Sequence, residues 1–370
     1  MRARPSAILT AAAALLAAWP VVGARRLLPT DTAPAWPIRG ATLAPIEDGR
    51  LGPVGYGTAR SELALEELAD LPAGWISLTP FGRMDDLDST DILPDFEIPV
   101  DENEERIRLT ARAARALGLR VALIPHLYVM SGQWRGRIDP GGEDGWEEWF
   151  DAYEGFLLRF ARLATEIEAD LFSIGVEFAS STNDRSERWR ELIAKVREVF
   201  PGPLTYSANW DEVEWVQFWD ALDFIGINAF WPLASVPGER HEAMLTRARA
   251  VAGELAGLAL HFDRSVIFTE FGVKSATDSA LAPWEWPEHC DGLVYDEAYQ
   301  AEAYAAVLEA FAGRPWFGGL FVWKYFSDPW DETQEPRAGF GVRGKAAEEV
   351  LGRWYGADWD EATLDLLPPF

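Results

Sequence analysis

The chain is nearly devoid of cysteine: Cys290 is the only one in 370 residues. No intrachain disulfide and no cysteine-based zinc cluster is therefore available to it. Histidine is scarce as well. None of the four, His126, His241, His261 and His289, belongs to the H-E-x-x-H pair of a zinc peptidase. Positive charge is in deficit, with Lys+Arg 33 against Asp+Glu 60 and a formal charge of -27. Nucleic-acid phosphates would be repelled, so a nucleic-acid partner is excluded, and the excess reads as a solvated acidic surface. No G-x-G-x-x-G follows an early strand, which leaves a dinucleotide-binding sheet without its phosphate turn. The run MDDLDSTD, with Asp85, Asp86, Asp88 and Asp91, lacks the glycine and terminal glutamate of an EF-hand and reads as an acidic surface loop.

Long apolar runs are confined to the N-terminus. MRAR is followed by the almost wholly apolar stretch Ala7 to Ala18, and Val22-Gly23-Ala24 has the small-residue spacing of a cleavage site. Residues 1–24 are expected to be an export signal. The alternative is an uncleaved membrane anchor, although the run is short for a spanning helix of about 20 residues. Either reading places the protein outside the cytoplasm, as an exported or membrane-tethered chain. Residues 25–37, with Pro29, Pro34 and Pro37, read as a linker, 38–358 as one folded unit, and 359–370 as a tail.

From Ile38 onward, short apolar runs alternate with longer amphipathic ones. The expected strands are 38–45, 74–81, 120–129, 170–178, 203–210, 223–230, 265–273 and 318–326. They are near-continuously apolar, as befits a sheet covered on both faces. Between them, helices are expected at 60–70, 102–117, 145–168, 184–199, 238–259 and 297–312, with a last one near 345–355. In the second of these, Ile107, Ala111, Ala114 and Leu117 recur on one face and Gly118 supplies the stop. Strand and helix alternating eight times predict a closed (β/α)8 TIM barrel, with a doubly wound open sheet as the alternative.

Two glutamates stand out in that frame. SIGVEF puts Glu177 between Val176 and Phe178 at the end of the fourth strand, and VIFTEFG puts Glu270 at the end of the seventh. A carboxylate among apolar residues is costly unless it is paired or its pKa is raised. Each alone is equally well explained by a structural salt bridge. Together, at the face where barrel active sites form, they fit the two carboxylates of glycoside hydrolysis.

The layout resembles clan A glycoside hydrolases, in which glutamates ending strands four and seven are the acid/base and the nucleophile. The phrases IPHLYVMSGQWRGRI, SIGVEF, LTYSANWD, DFIGINAFWPL, VIFTEFG and FVWKYF are similar to glycoside hydrolase family 113, a barrel family containing β-mannanases. The resemblance implies retention of anomeric configuration, with Glu177 as acid/base, its pKa raised, and Glu270 as ionised nucleophile. The expected carboxyl separation is about 5–5.5 Å. It implies an oligo- or polysaccharide substrate, β-mannan first and a β-glucan as alternative, and no cofactor. Two positions depart from the clan: Val176 precedes the acid/base where Asn is usual, and Phe230 stands where a tyrosine would hydrogen-bond the nucleophile. Asn228 is the candidate substitute donor, and Phe230 favours the rival reading of a catalytically idle, glycan-binding barrel.

Of 18 tryptophans, only a minority is expected at the sugar, because Trp146, Trp149 and Trp189 fall in helix patterns. Trp323, ending strand eight, resembles the platform beneath the reacting sugar. Trp134 and Trp231 follow strands three and six. His126, after Pro125 in strand three, and Asn209, near the end of strand five, are candidate ligands of sugar hydroxyls. Trp284 and Trp286, in APWEWPEHC, are expected either to extend the subsites or to cover the barrel.

Overall fold

The computed structural model describes residues 37–45, 54–96, 98–289, 292–331 and 334–357. The signal or anchor at 1–24, all of the linker but Pro37, the tail and Cys290 lie outside them. Among the described residues, no helix is long and apolar enough to cross a membrane.

In chain order the elements are β1 (Ile38–Ala44), α1 (Ala59–Asp70), β2 (Trp75–Leu78), β3 (Phe81–Met84), α2 (Val100–Ala116), β4 (Arg120–Leu123) and β5 (His126–Val129). Then come α3 (Gly142–Glu166), β6 (Leu171–Val176), the short α4 (Ala179–Thr182), α5 (Ser186–Val199), β7 (Leu204–Asn209) and β8 (Phe224–Asn228). The chain continues through α6 (His241–Phe262), β9 (Ser265–Phe271), α7 (Glu297–Phe311), β10 (Phe317–Phe326) and α8 (Ala346–Gly356). Eight parallel strands close in the order β1-β10-β9-β8-β7-β6-β4-β2, with helices between them, giving a (β/α)8 TIM barrel.

Why the barrel closes can be read from its two packed layers. Ile38, Trp75, Ala122, Leu171, Val176, Phe224, Ile267 and Phe321, all on strands, form one buried cluster with Ile124, which follows β4. Gly40 makes room for it, since a Cβ there would come within 2.5 Å of the Phe321 ring. Alternate strand residues such as Phe172, Ile174 and Phe268 join the helices in a second, larger cluster. Strand side chains alternate between faces, so one sequence run supplies both layers. This is why the strands read as continuously apolar.

Strands two and three differ from expectation. Each was expected as a single run, yet each is interrupted at a proline, Pro80 or Pro125, which cannot donate a backbone hydrogen bond. Bonds flank the interruption, with Ile124 N donating to Leu78 O (2.9 Å) just before Pro125 and His126 N to Pro80 O (2.8 Å) just after it. β3 and β5 then pair in parallel, Phe81 opposite His126. These strands therefore carry on past the barrel proper at its C-terminal end, and His126 rides on the extension.

Candidate active site

Glu177 is the residue after β6, and Glu270 is the penultimate residue of β9. Both lie at the C-terminal ends of their strands, and both are buried, at 8% and 6% exposure. The backbone of Glu177 is left-handed (φ 56°), a conformation disfavoured for a residue with a side chain. Its N–H is tied to Ser207 O at 2.9 Å. Strand pairing places Asn228 opposite Glu270, and Ala229 N donates to Glu270 O at 2.7 Å.

Hydrogen-bond donors converge on Glu177. Its Oε2 accepts from Trp134 Nε1 at 2.9 Å and from Arg135 Nη2 at 3.5 Å, and its Oε1 accepts from Asn228 Nδ2 at 2.9 Å. Asn228 is oriented in turn by Thr269, whose hydroxyl donates to Oδ1 at 2.9 Å. Trp134 packs close over Gly136, where a Cβ would come within 2.4 Å of the indole.

Glu270 is treated differently. Its Oε1 is buried and accepts no hydrogen bond. His126 Nε2 lies 3.5 Å from it, itself without a hydrogen-bond partner. Burial, and then the Arg135 charge, hold the imidazole well below its usual pKa, so it is neutral and the contact is not an ion pair. The Glu270 carboxyl is pushed up to about 8, first by burial and then by the Glu177 charge; Arg135, Lys324 and Asn228 pull it down.

An aromatic wall adjoins the pair. Trp323, Phe230 and Phe340 form a buried cluster with Trp210 packed against it. The Trp323 indole lies parallel to the His126 ring (7°, centroids 6.4 Å apart), while Trp286 meets it edge-on at 6.2 Å. Trp284 stacks on Trp210 at 5.4 Å and stays exposed. The loop bearing both tryptophans is pinned by buried Lys274, whose Nζ donates to Ala282 O (3.2 Å) and Glu285 O (2.7 Å). Lys324 follows Trp323, with Nζ over the Trp286, Trp323 and Phe326 rings and 3.6 Å from Glu335 Oε2.

Of the residues singled out from sequence, Glu177, Glu270, Trp134, His126, Asn228, Phe230 and Trp323 are brought together. Asn209 ends β7 opposite Asn228 in the strand pairing, and its amide donates to Asp211 Oδ1 at 2.7 Å. Trp231 packs on Phe268 at 5.7 Å, against the layer between strands and helices. Arg135 and Phe340 were missed. Arg135 had a signal, since it adjoins Trp134 in a phrase already singled out; Phe340 had none. Among the described residues, no group of three or more His, Cys, Asp or Glu is placed to hold a metal ion.

The model of glycoside hydrolase family 113 matches residues 52–345. The chain belongs to this family. As a family 113 member it is a glycoside hydrolase. Among solved structures it is similar to the family 113 β-mannanase AaManA from Alicyclobacillus acidocaldarius, solved in complex with ManMIm. That match has 28% identity and TM-score 0.74, covering 88% of this chain and 98% of that one. It is also similar to a family 113 β-1,4-mannanase at 27% identity and TM-score 0.73, covering 86% and 99%. A family 5 mannosidase from Rhizomucor miehei, at 11% identity and TM-score 0.57 over 86% of this chain and 92% of that one, shares the fold. No curated protein matches.

Proposed function

We propose that this family 113 protein is a retaining β-mannanase, with Glu177 as acid/base and Glu270 as nucleophile. The observation that carries the reading is the electrostatic coupling of two buried glutamates at the ends of barrel strands four and seven. The substrate class rests on the similarity to β-mannanases.

With Glu270 raised to about 8, first by burial and then by the Glu177 charge, the pair holds a proton at neutral pH. Reaction needs it on Glu177, next to the leaving oxygen. A bound sugar drives that placement: positive charge developing at the anomeric carbon favours an ionised Glu270, and the glycosidic oxygen takes the proton from Glu177. Glu270 then attacks the anomeric carbon as the glycosidic bond breaks. Glu177, now a carboxylate, takes a proton from the water that releases the sugar. His126 Nε2, neutral and unpartnered, is suited to a sugar hydroxyl, and Trp323 presents an apolar ring face.

The test is the anomeric form of the product. Wild-type protein should release β-configured product from an aryl β-mannobioside. Glu177→Ala should give a β-azide in the presence of azide, and Glu270→Ala should not. The same product from Glu270→Ala alone would reverse the roles, and an α-configured initial product would overturn retention. Wild-type inactivity on every β-glycan would leave the idle glycan-binding barrel, the reading that Phe230 favours.

A further inference from the structure

A third buried carboxylate lies beside the pair and takes no part in the chemistry above. Glu212, three residues past β7, is 2% exposed. Its Oε1 accepts from the Tyr206 hydroxyl at 2.7 Å, and its Oε2 is buried without a hydrogen-bond partner. As a purely structural device this is poor, because a buried carboxyl with one oxygen unsatisfied costs on the order of a few kcal/mol. An apolar pair would pack there more cheaply.

The Tyr206 hydroxyl has a second partner. It accepts the N–H of Phe178 at 2.6 Å, in the peptide joining Phe178 to Glu177. Glu177 is in the left-handed region, so its side-chain direction depends on how firmly the peptides either side are held. Ser207 O holds one side and Tyr206 holds the other. The Phe178 ring is enclosed by Trp149, Tyr153 and Trp189 at 5.1 to 5.9 Å. Gly175 permits that closure, since a Cβ there would press to 3.1 Å on Phe178, Trp189 and Tyr206.

We propose that Tyr206 and Glu212 are positioning residues for the acid/base: Glu212 orients the Tyr206 hydroxyl, which clamps the peptide after Glu177 and aims its carboxyl at the leaving oxygen. The inference rests on the hydrolase reading above. Burial, then Glu212, raises the Tyr206 phenol well above its usual pKa, so it stays a donor to Glu212 at every working pH. Glu212 needs only an acceptor oxygen for this role, not a charge.

A misaimed acid hurts a poor leaving group more than a good one, because a good one departs without protonation. A merely structural defect lowers both alike. The experiment therefore compares kcat/KM, which reports the bond-breaking step, on 2,4-dinitrophenyl and 4-methoxyphenyl β-mannobiosides, in the full chain. Tyr206→Phe keeps the packing and loses the hydroxyl. It should lose about 10–100-fold on the methoxyphenyl substrate and severalfold less on the dinitrophenyl one. Glu212→Leu should follow it, whereas Glu212→Gln, whose amide oxygen still accepts, should keep the wild-type ratio of the two substrates. Equal losses on both substrates, or no loss from Tyr206→Phe, would overturn the positioning role while the hydrolase reading stands. A wild-type protein inactive on both would remove the hydrolase reading, and this inference with it.

Discussion

The ends of strands four and seven carry the same residue and treat it in opposite ways. Glu177 sits beyond its strand on a left-handed residue and gathers Trp134, Arg135 and Asn228 as donors. Glu270 sits within its strand and has a neutral imidazole at 3.5 Å and no hydrogen bond to Oε1. Identical side chains are differentiated by their neighbours. Burial first, and then the Glu177 charge, push the Glu270 carboxyl up to about 8.

The largest effect that would break this comparison is loss of the strand-seven carboxyl. Glu270→Gln should cut kcat/KM by at least about 10⁴-fold, since no nucleophile remains; a fall under tenfold would exclude covalent participation. The same variant has a stability signature. The native Glu270 pKa of about 8 lies above the unfolded value near 4.5, so the native state binds more protons between those pH values. Its contribution is unimpaired below about pH 4.5 and is lost progressively as pH rises toward 8. Glu270→Gln should therefore be more stable than wild type at pH 7, by on the order of 3 kcal/mol, with the gain vanishing near pH 4. Chemical denaturation at the two pH values checks this; an equal difference at both would mean Glu270 is not raised.

Removing a donor from the other end is expected to cost less. Trp134→Phe keeps the ring and loses the 2.9 Å bond to Glu177; kcat/KM on a poor leaving group should fall about 10-fold, consistent with one hydrogen bond to a charged group. Unchanged kinetics would show that the bond does not persist with substrate bound. Phe230→Tyr sharpens the contrast instead by offering Glu270 a hydroxyl. The basic limb of the pH profile, expected near pH 8 where the pair loses its last proton, should move to lower pH. A limb that stays in place means the hydroxyl does not reach. The smallest effect belongs to the outer aromatics: Trp284→Ala should raise KM a few-fold on long oligosaccharides and leave a disaccharide glycoside unchanged, in keeping with about 1 kcal/mol for one stacked ring. Equal effects on both lengths would assign Trp284 to loop support.

Much of this was legible from the chain alone. Apolar runs alternating with 3.6-residue patterns specify strands and helices locally, and counting them places Glu177 and Glu270 on strands four and seven, because parallel strands joined by helices leave few ways to close. The prolines at 80 and 125 were also visible, though not that pairing would resume beyond them.

What the sequence could not set is which neighbours each side chain meets. Asn209 and Asn228 both end strands in family-like phrases, yet one turns to Asp211 and the other to Glu177. Trp231 follows an apolar strand and Trp323 lies in one, yet the first joins the outer layer and the second the mouth. The raised pKa of Glu270 depends on burial and on the charge of Glu177, which is remote from it in the chain. Periodicity is a property of consecutive residues and survives in one dimension. Hydrogen-bond partnership and desolvation arise only when separate strands meet, so the tertiary structure alone decided them.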